Sequence, residues 1–277
     1  MATATVTALG SADVKALTSA EVGALTSAQV AALSSADVIG LTSVNIVGLT
    51  TTNVLGLTAA NIPGLGTAAL ANLTTTAIAN MATATVAALG SADVTALTSA
   101  EVVALTSGQV AALTSDDVVG LTSVNIAGLT TTNAPGITTT NLPGLATAAV
   151  SVLTSAELQG LTSAAVVALS SAQFLALSSA ALPALTSQEL QGLGTAAVAG
   201  LQAMSAAQFG VITSVAVQGL TTAEIAGLGT ADIAGFTSPQ VAALSSSQLA
   251  GMAGYDASHK AAFTITLTAG EHSSIGW

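Results

Sequence analysis

Asp256, Ser258 and His259 are the residue types of a nucleophile, its base and an orienting carboxylate. Such a triad is recognised by geometry, and these three crowd into one loop-like stretch, so no catalysis is expected there. His259 and His272, with Glu271, are metal-ligand types, yet no zinc-ligand spacing joins them. Asp116 and Asp117 are the adjacent acids, and neither they nor any asparagine row matches an EF-hand loop or a calcium-binding nonapeptide. Gly64 and Gly66 form no phosphate loop, because they belong to a regular repeat. No catalytic, cofactor-binding or metal-binding residue is assigned, and the chain is expected not to be an enzyme.

The repeat decides how these side chains are positioned. From Leu9 a large apolar residue returns every eighth position, through Leu17, Leu25, Leu33 and onward to Leu201. A second apolar column follows five residues later at Val14, Val22, Val30 and Val38. Fixed-period self-similarity of this kind marks a stacked array rather than an ordinary domain.

Spacings of five and three residues suit a plain strand poorly, since residues one and six of a strand face opposite ways. In LTSAEV, Thr18 and Glu21 have the spacing of a capping box, with Leu17 and Val22 as the flanking hydrophobic staple. Thr26 with Gln29 and Thr98 with Glu101 repeat the signal. Each octad is therefore read as one short helix, capped at its start and ended by Ala or Gly. The helix caps are Thr18, Glu21, Thr26, Gln29, Thr98 and Glu101, and the structural core includes Leu17, Val22, Leu25, Val30, Leu97 and Val102. Isolated helices this short do not persist, because about 12 to 15 residues are needed for even marginal stability. Neighbouring copies must stack, which predicts an all-α solenoid. A β-solenoid is the alternative, drawing on Thr, Val and Ile as strand formers and on Asn and Gly as corners.

The 277 residues are 51% hydrophobic but only 2% aromatic and 5% charged. Globular proteins carry about 25% charged residues. The surface must then be covered by Thr, Ser, Asn and Gln, which suits packing against further copies. Thirteen acids against two lysines, Lys15 and Lys260, give a net charge of -11. With no arginine and no basic patch, nucleic acid and anionic membrane surfaces are excluded as partners. No stretch of 18 residues lacks Thr, Ser or Asn, so no membrane insertion is expected. MATATVTALG lacks a basic region followed by a long apolar one, so no cleavable signal peptide is expected. No cysteine is present, and no cofactor is expected.

Residues 1–252 form the array. MATATVTALGSADVKALTSAEV from Met1 returns as MATATVAALGSADVTALTSAEV from Met81, so an 80-residue block, 1–80, is duplicated at 81–160. In both blocks Asn takes the fifth octad position three times running, at Asn45, Asn53 and Asn61 and at Asn125, Asn133 and Asn141. Gly closes each of these octads, and Pro63, Pro135 and Pro143 precede three of the glycines. This chemistry predicts tighter 3₁₀-like turns, a bend or an asparagine ladder, with a structural cap favoured over a ligand-binding row. The phase slips near residues 202–204, where a kink or bulge is expected. Residues 253–277 form a different segment. Phe263, Ile265 and Leu267 alternate with threonines in the period of a strand. Together with Trp277 they are assigned to an end cap or to assembly with another copy through an edge strand, and a C-terminal export signal is the remaining reading of this segment.

ALTSAEVGALTSAQVAALSSADV, from Ala16 to Val38, resembles the ALTTxQ-type octad arrays of large bacterial proteins regarded as secreted or surface-associated. The resemblance covers roughly residues 1–252 and implies an extracellular or cell-surface structural role, with no catalytic residues to transfer. The expected function is a non-enzymatic rod that associates with itself into filaments or a matrix, or with other surface or matrix components. The alternative is an ice- or glycan-binding solenoid that displays its Thr and Ser columns on a flat face.

Overall fold

The computed structural model describes residues 2–251. Within them the chain forms twenty-four α-helices, each four to seven residues long, and seven 3₁₀ turns. No strand occurs among the described residues. The all-α solenoid of short capped helices is therefore the architecture, and the β-solenoid alternative is corrected. Its threonines are the reason: Thr18, Thr26 and Thr98 turn their hydroxyls onto backbone N–H groups at helix starts and take no part in a pleated surface.

Local chemistry explains each octad. Thr18 is extended (φ -73°, ψ 161°) and starts the helix Ser19–Gly23, while Thr26 does the same for Ser27–Ala31. Where Asn replaces the acid or Gln, the helix shortens to the 3₁₀ turns Ile46–Gly48, Val54–Gly56 and Ile62–Gly64. The duplicated block repeats this at Ile126–Gly128, Ala134–Gly136 and Leu142–Gly144. Pro63 and Pro143 occupy an early position of their turns, where the missing N–H costs nothing.

The described chain divides between Ala149 and Val150 into two compact units. In the first, the helix Ser19–Gly23 packs on Ile46–Gly48, and Ser27–Ala31 packs on Val54–Gly56. The amide of Asn45 reaches the carbonyls of Val14 and Leu17, respectively 31 and 28 residues back. A step of 28 residues is three and a half octads. The fifth-position side chain of one coil therefore lies over the joint between two octads of the coil beneath, while the helices themselves pack on elements three octads away. The apolar columns fill the interior, with Val22, Leu25, Val30, Leu97 and Val102 all buried. Each such side chain contributes about 1.5–3 kcal/mol on burial, which no single octad could assemble alone.

The second unit repeats the scheme. Gln240 donates to the carbonyls of Phe209 and Ile212, again 31 and 28 residues back. Residues 201–203 are extra to the octad count: the helix Thr195–Leu201, the longest at seven residues, takes in Leu201, and Gln202 and Ala203 form the turn that follows. Gly200 lies over Ser171 but Gly219 lies over Ser187, a spacing three residues longer. Phe209 and Phe236 meet nearby, ring centroids 4.8 Å apart.

Candidate functional site

Eighteen polar or charged side chains are buried among the described residues, and every one stands at the fifth position of its octad. This row is the chemical centre of the molecule. It lies three residues after the residue that opens each turn, close enough to bond back to it. The Thr18 hydroxyl accepts from the Glu21 N–H at 3.2 Å, while the Glu21 carboxylate accepts from the Thr18 N–H at 2.8 Å. Thr26 with Gln29 and Thr98 with Glu101 make the same reciprocal pair. Backbone and then hydroxyl donation from Thr18 holds the Glu21 carboxyl below the usual carboxylate range.

Amides at this position do more. Asn45, Asn53 and Asn61 accept from the N–H of Thr42, Thr50 and Thr58 at 2.7, 2.6 and 2.7 Å. Their Nδ2 atoms then donate to Val14, Val22 and Val30 in the preceding coil at 3.0, 2.9 and 3.2 Å. Gln109 reaches Ile78 and Met81 at 3.0 and 2.8 Å. One side chain thus caps its own turn and ties two coils together. This is how the asparagine octads differ from a ladder: each Asn binds backbone carbonyls, not the next Asn.

Two carboxylates in the same place leave an oxygen over, whereas Glu189 has its second oxygen bonded by the Ser163 hydroxyl at 3.2 Å. Glu101 Oε1 and Asp232 Oδ1 are buried without a hydrogen-bond partner. Burial pushes the Asp232 carboxyl up to about 6, against the opposing hydrogen bond from the Gly229 N–H.

The eighth position completes the coil contact. A methyl group on Gly48 would collide with the Ser19 carbonyl, and on Gly64 with that of Ser35. Neither glycine adopts left-handed backbone, so each is required by close approach rather than by a special turn. In the sequence these glycines read as turn residues, and the coil contact is not visible there. The signal that could have found it is a glycine three residues after each asparagine.

The remaining candidate residues are placed as follows. Asp117 caps Thr114 at 2.9 Å while Asp116 is exposed, so the adjacent acids do not act together. Leu17 is half-buried. Asp256, Ser258, His259, Glu271 and His272 lie outside the described residues, as do Phe263, Ile265, Leu267 and Trp277. Among the described residues no three His, Asp or Glu side chains converge as metal ligands. An open groove of about 480 Å³ runs past Ile39, Thr42, Pro63 and Gly66, and a second of about 410 Å³ past Gln191, Thr221 and Gln248. Neither groove is lined by a titratable side chain. Among the described residues no helix is long and apolar enough to cross a membrane.

Three segments, residues 6–43, 86–123 and 217–253, match the family model of the ALTTAQ repeat. The chain carries ALTTAQ repeats in these segments, which together make up less than half of it. The first two stand 80 residues apart and are the same part of the two copies of the duplicated block. Most of the asparagine octads fall outside the matched segments. No curated protein and no solved structure matches the chain.

Proposed function

We propose that this ALTTAQ-repeat chain is a non-enzymatic structural protein that associates with copies of itself into filaments or a matrix at the cell exterior. The observation that carries the reading is the fifth-position row. The polar side chains that an active site would need buried and convergent are instead spaced one per octad and spent on backbone groups. A catalytic site requires several such groups aimed at one point. Scarce charge and a surface of small Ala, Ser and Thr side chains favour contact with like surfaces over solvation. Placement outside the cell follows the likeness of the octads to secreted arrays.

The ice- or glycan-binding alternative needs hydroxyls displayed on a flat sheet. Thr18, Thr26 and Thr98 hold theirs against helix N–H groups, so no observation favours it.

Negative-stain electron microscopy of the full chain, over a range of concentrations, tests the proposal. Filaments or sheets that grow with concentration are expected. Uniform single particles at every concentration would overturn it.

A further inference from the structure

Three consecutive octads of the second unit carry Asp232, Gln240 and Gln248 at the fifth position, and all three side chains are buried. Gln240 donates to the carbonyls of Phe209 and Ile212, and Gln248 to those of Val217 and Leu220, in each case 31 and 28 residues back. The same step from Asp232 leads to Leu201 and Met204. Two observations hold this register at Asp232 itself. The helix Thr230–Gly235 packs on Ala206–Gly210, and Gly235 lies over the Ala206 carbonyl at the spacing that puts Gly48 over Ser19. The Met204 N–H also donates to the Leu201 carbonyl at 3.2 Å, the bond that Leu17 makes to Val14 at 3.2 Å. Val14 and Leu17 are the carbonyl pair that Asn45 holds. The phase slip therefore leaves an ordinary carbonyl pair beneath Asp232.

Asp232 has the reach for that pair and lacks the hydrogen. Asparagine side chains, of the same length, span the joint at 3.0, 2.9 and 2.7 Å from Asn45, Asn53 and Asn133. Asp232 Oδ2 accepts from the Gly229 N–H at 2.9 Å, while Oδ1 is buried without a partner. An ionised carboxylate can only accept, so it sets one more acceptor against two carbonyl oxygens. A carboxylic acid carries the O–H that the pair can receive.

We infer that Asp232 is an acid-operated tie: a proton taken from solvent onto Oδ1 makes it a donor to the Leu201–Met204 carbonyl pair and fastens the coil joint at the phase slip, and loss of that proton unfastens it. Asparagine and glutamine fasten their joints at every pH, so the same position holds permanent ties elsewhere and a switchable one here. The rise of the Asp232 carboxyl to about 6 through burial brings the change into the mildly acid range. A bond made only by the neutral form acts in the same direction. No cation faces the carboxyl to oppose it. Among the described residues, 195–210 beneath and 225–251 alongside carry no titratable or charged side chain besides Asp232 itself. Glu224, on the preceding helix, accepts from the Thr221 N–H of its own octad.

Carbon-13 magnetic resonance of the full chain, labelled at the aspartate carboxyls and at the leucine and methionine carbonyls, tests the tie. Asp232→Asn and Asp232→Ala assign the signals. The Asp232 carboxyl is expected to titrate at about 6, and a carbonyl carbon of Leu201 or Met204 to move downfield with the same midpoint on acidification. In Asp232→Asn, where the amide donates throughout, that carbonyl is expected to stay at its acid position across the range. In Asp232→Ala it is expected to stay at its neutral position. Carbonyls that stand still while the wild-type carboxyl titrates at about 6 would overturn the tie and leave burial alone to hold the proton. A carboxyl that titrates near the ordinary 3.8 would overturn it as well. Both of these readings come from the wild type, so the decision survives a variant that fails to fold.

Discussion

The side-chain amide of Asn133 donates to the carbonyl oxygen of Val102 at 2.7 Å, across 31 residues of chain. The same side chain accepts from the Thr130 N–H at 2.6 Å. Asn133→Ala removes the bond that opens its turn and strands a buried carbonyl, and a destabilisation of about 2–3 kcal/mol is expected in urea unfolding. Asn72, exposed and bonded within its own octad to the Ala68 carbonyl, provides the control. Asn72→Ala is expected to change stability by about 0.5 kcal/mol or less.

Glycine matters where coils touch and not elsewhere. A methyl group on Gly56 would meet the Ser27 carbonyl and, at 2.5 Å, Val30 Cβ, so Gly56→Ala is expected to cost about 1–3 kcal/mol. Gly90 starts the helix Ser91–Ala96 without a side-chain cap, and a methyl group there meets nothing within 4 Å. Gly90→Ser is expected to stabilise by about 0.5 kcal/mol, and thermal unfolding of the two variants reads the opposite signs.

Glu101 and Glu21 are the same residue of the duplicated block in a covered and an open setting. Glu101→Gln supplies a donor where an oxygen has no partner, and a gain of about 1 kcal/mol is expected. Glu21→Gln, measured at concentrations where the chain is monomeric, is expected to be neutral within about 0.5 kcal/mol. Equal effects at the two sites would contradict the coil contact over Glu101.

Asp232 makes stability depend on pH in the less usual direction. Its carboxyl titrates at about 6 in the fold against 3.8 for the ordinary group. Between those values the folded chain keeps a proton that the unfolded chain has released, so stability falls as pH rises from about 4 to about 6 and is then level. Relative to Asp232→Asn, the wild type is expected to lose on the order of 2 kcal/mol across that window. Parallel stability curves for the two proteins would refute the assignment.

The helix starts are legible in the sequence because Thr18 and Glu21 carry their chemistry within four residues. The shortened turns at Asn45, Asn53 and Asn61 are legible for the same reason, since Asn and Gly weaken a helix locally. The coil is not. Leu17 and Leu97 stand in identical stretches, ALTSAEV, yet one is half-buried and the other buried, and the difference lies wholly in what precedes them by a coil. A step of three and a half octads leaves no trace in an eight-residue pattern, because every octad carries the same signals whichever part of the coil it occupies. The second use of the fifth-position amide, across that step, is hidden with it.

The chain supplies its own test of the coil, in eight asparagines of which six are buried at fifth positions and two, Asn72 and Asn80, are exposed. Side-chain amide hydrogen exchange, followed by nuclear magnetic resonance on protein labelled only at asparagine, separates them directly. Six amide pairs slowed by roughly 100-fold or more, beside two that exchange freely, are the expected result. Eight pairs exchanging alike and fast would contradict the cross-coil bonds on which the whole stack depends.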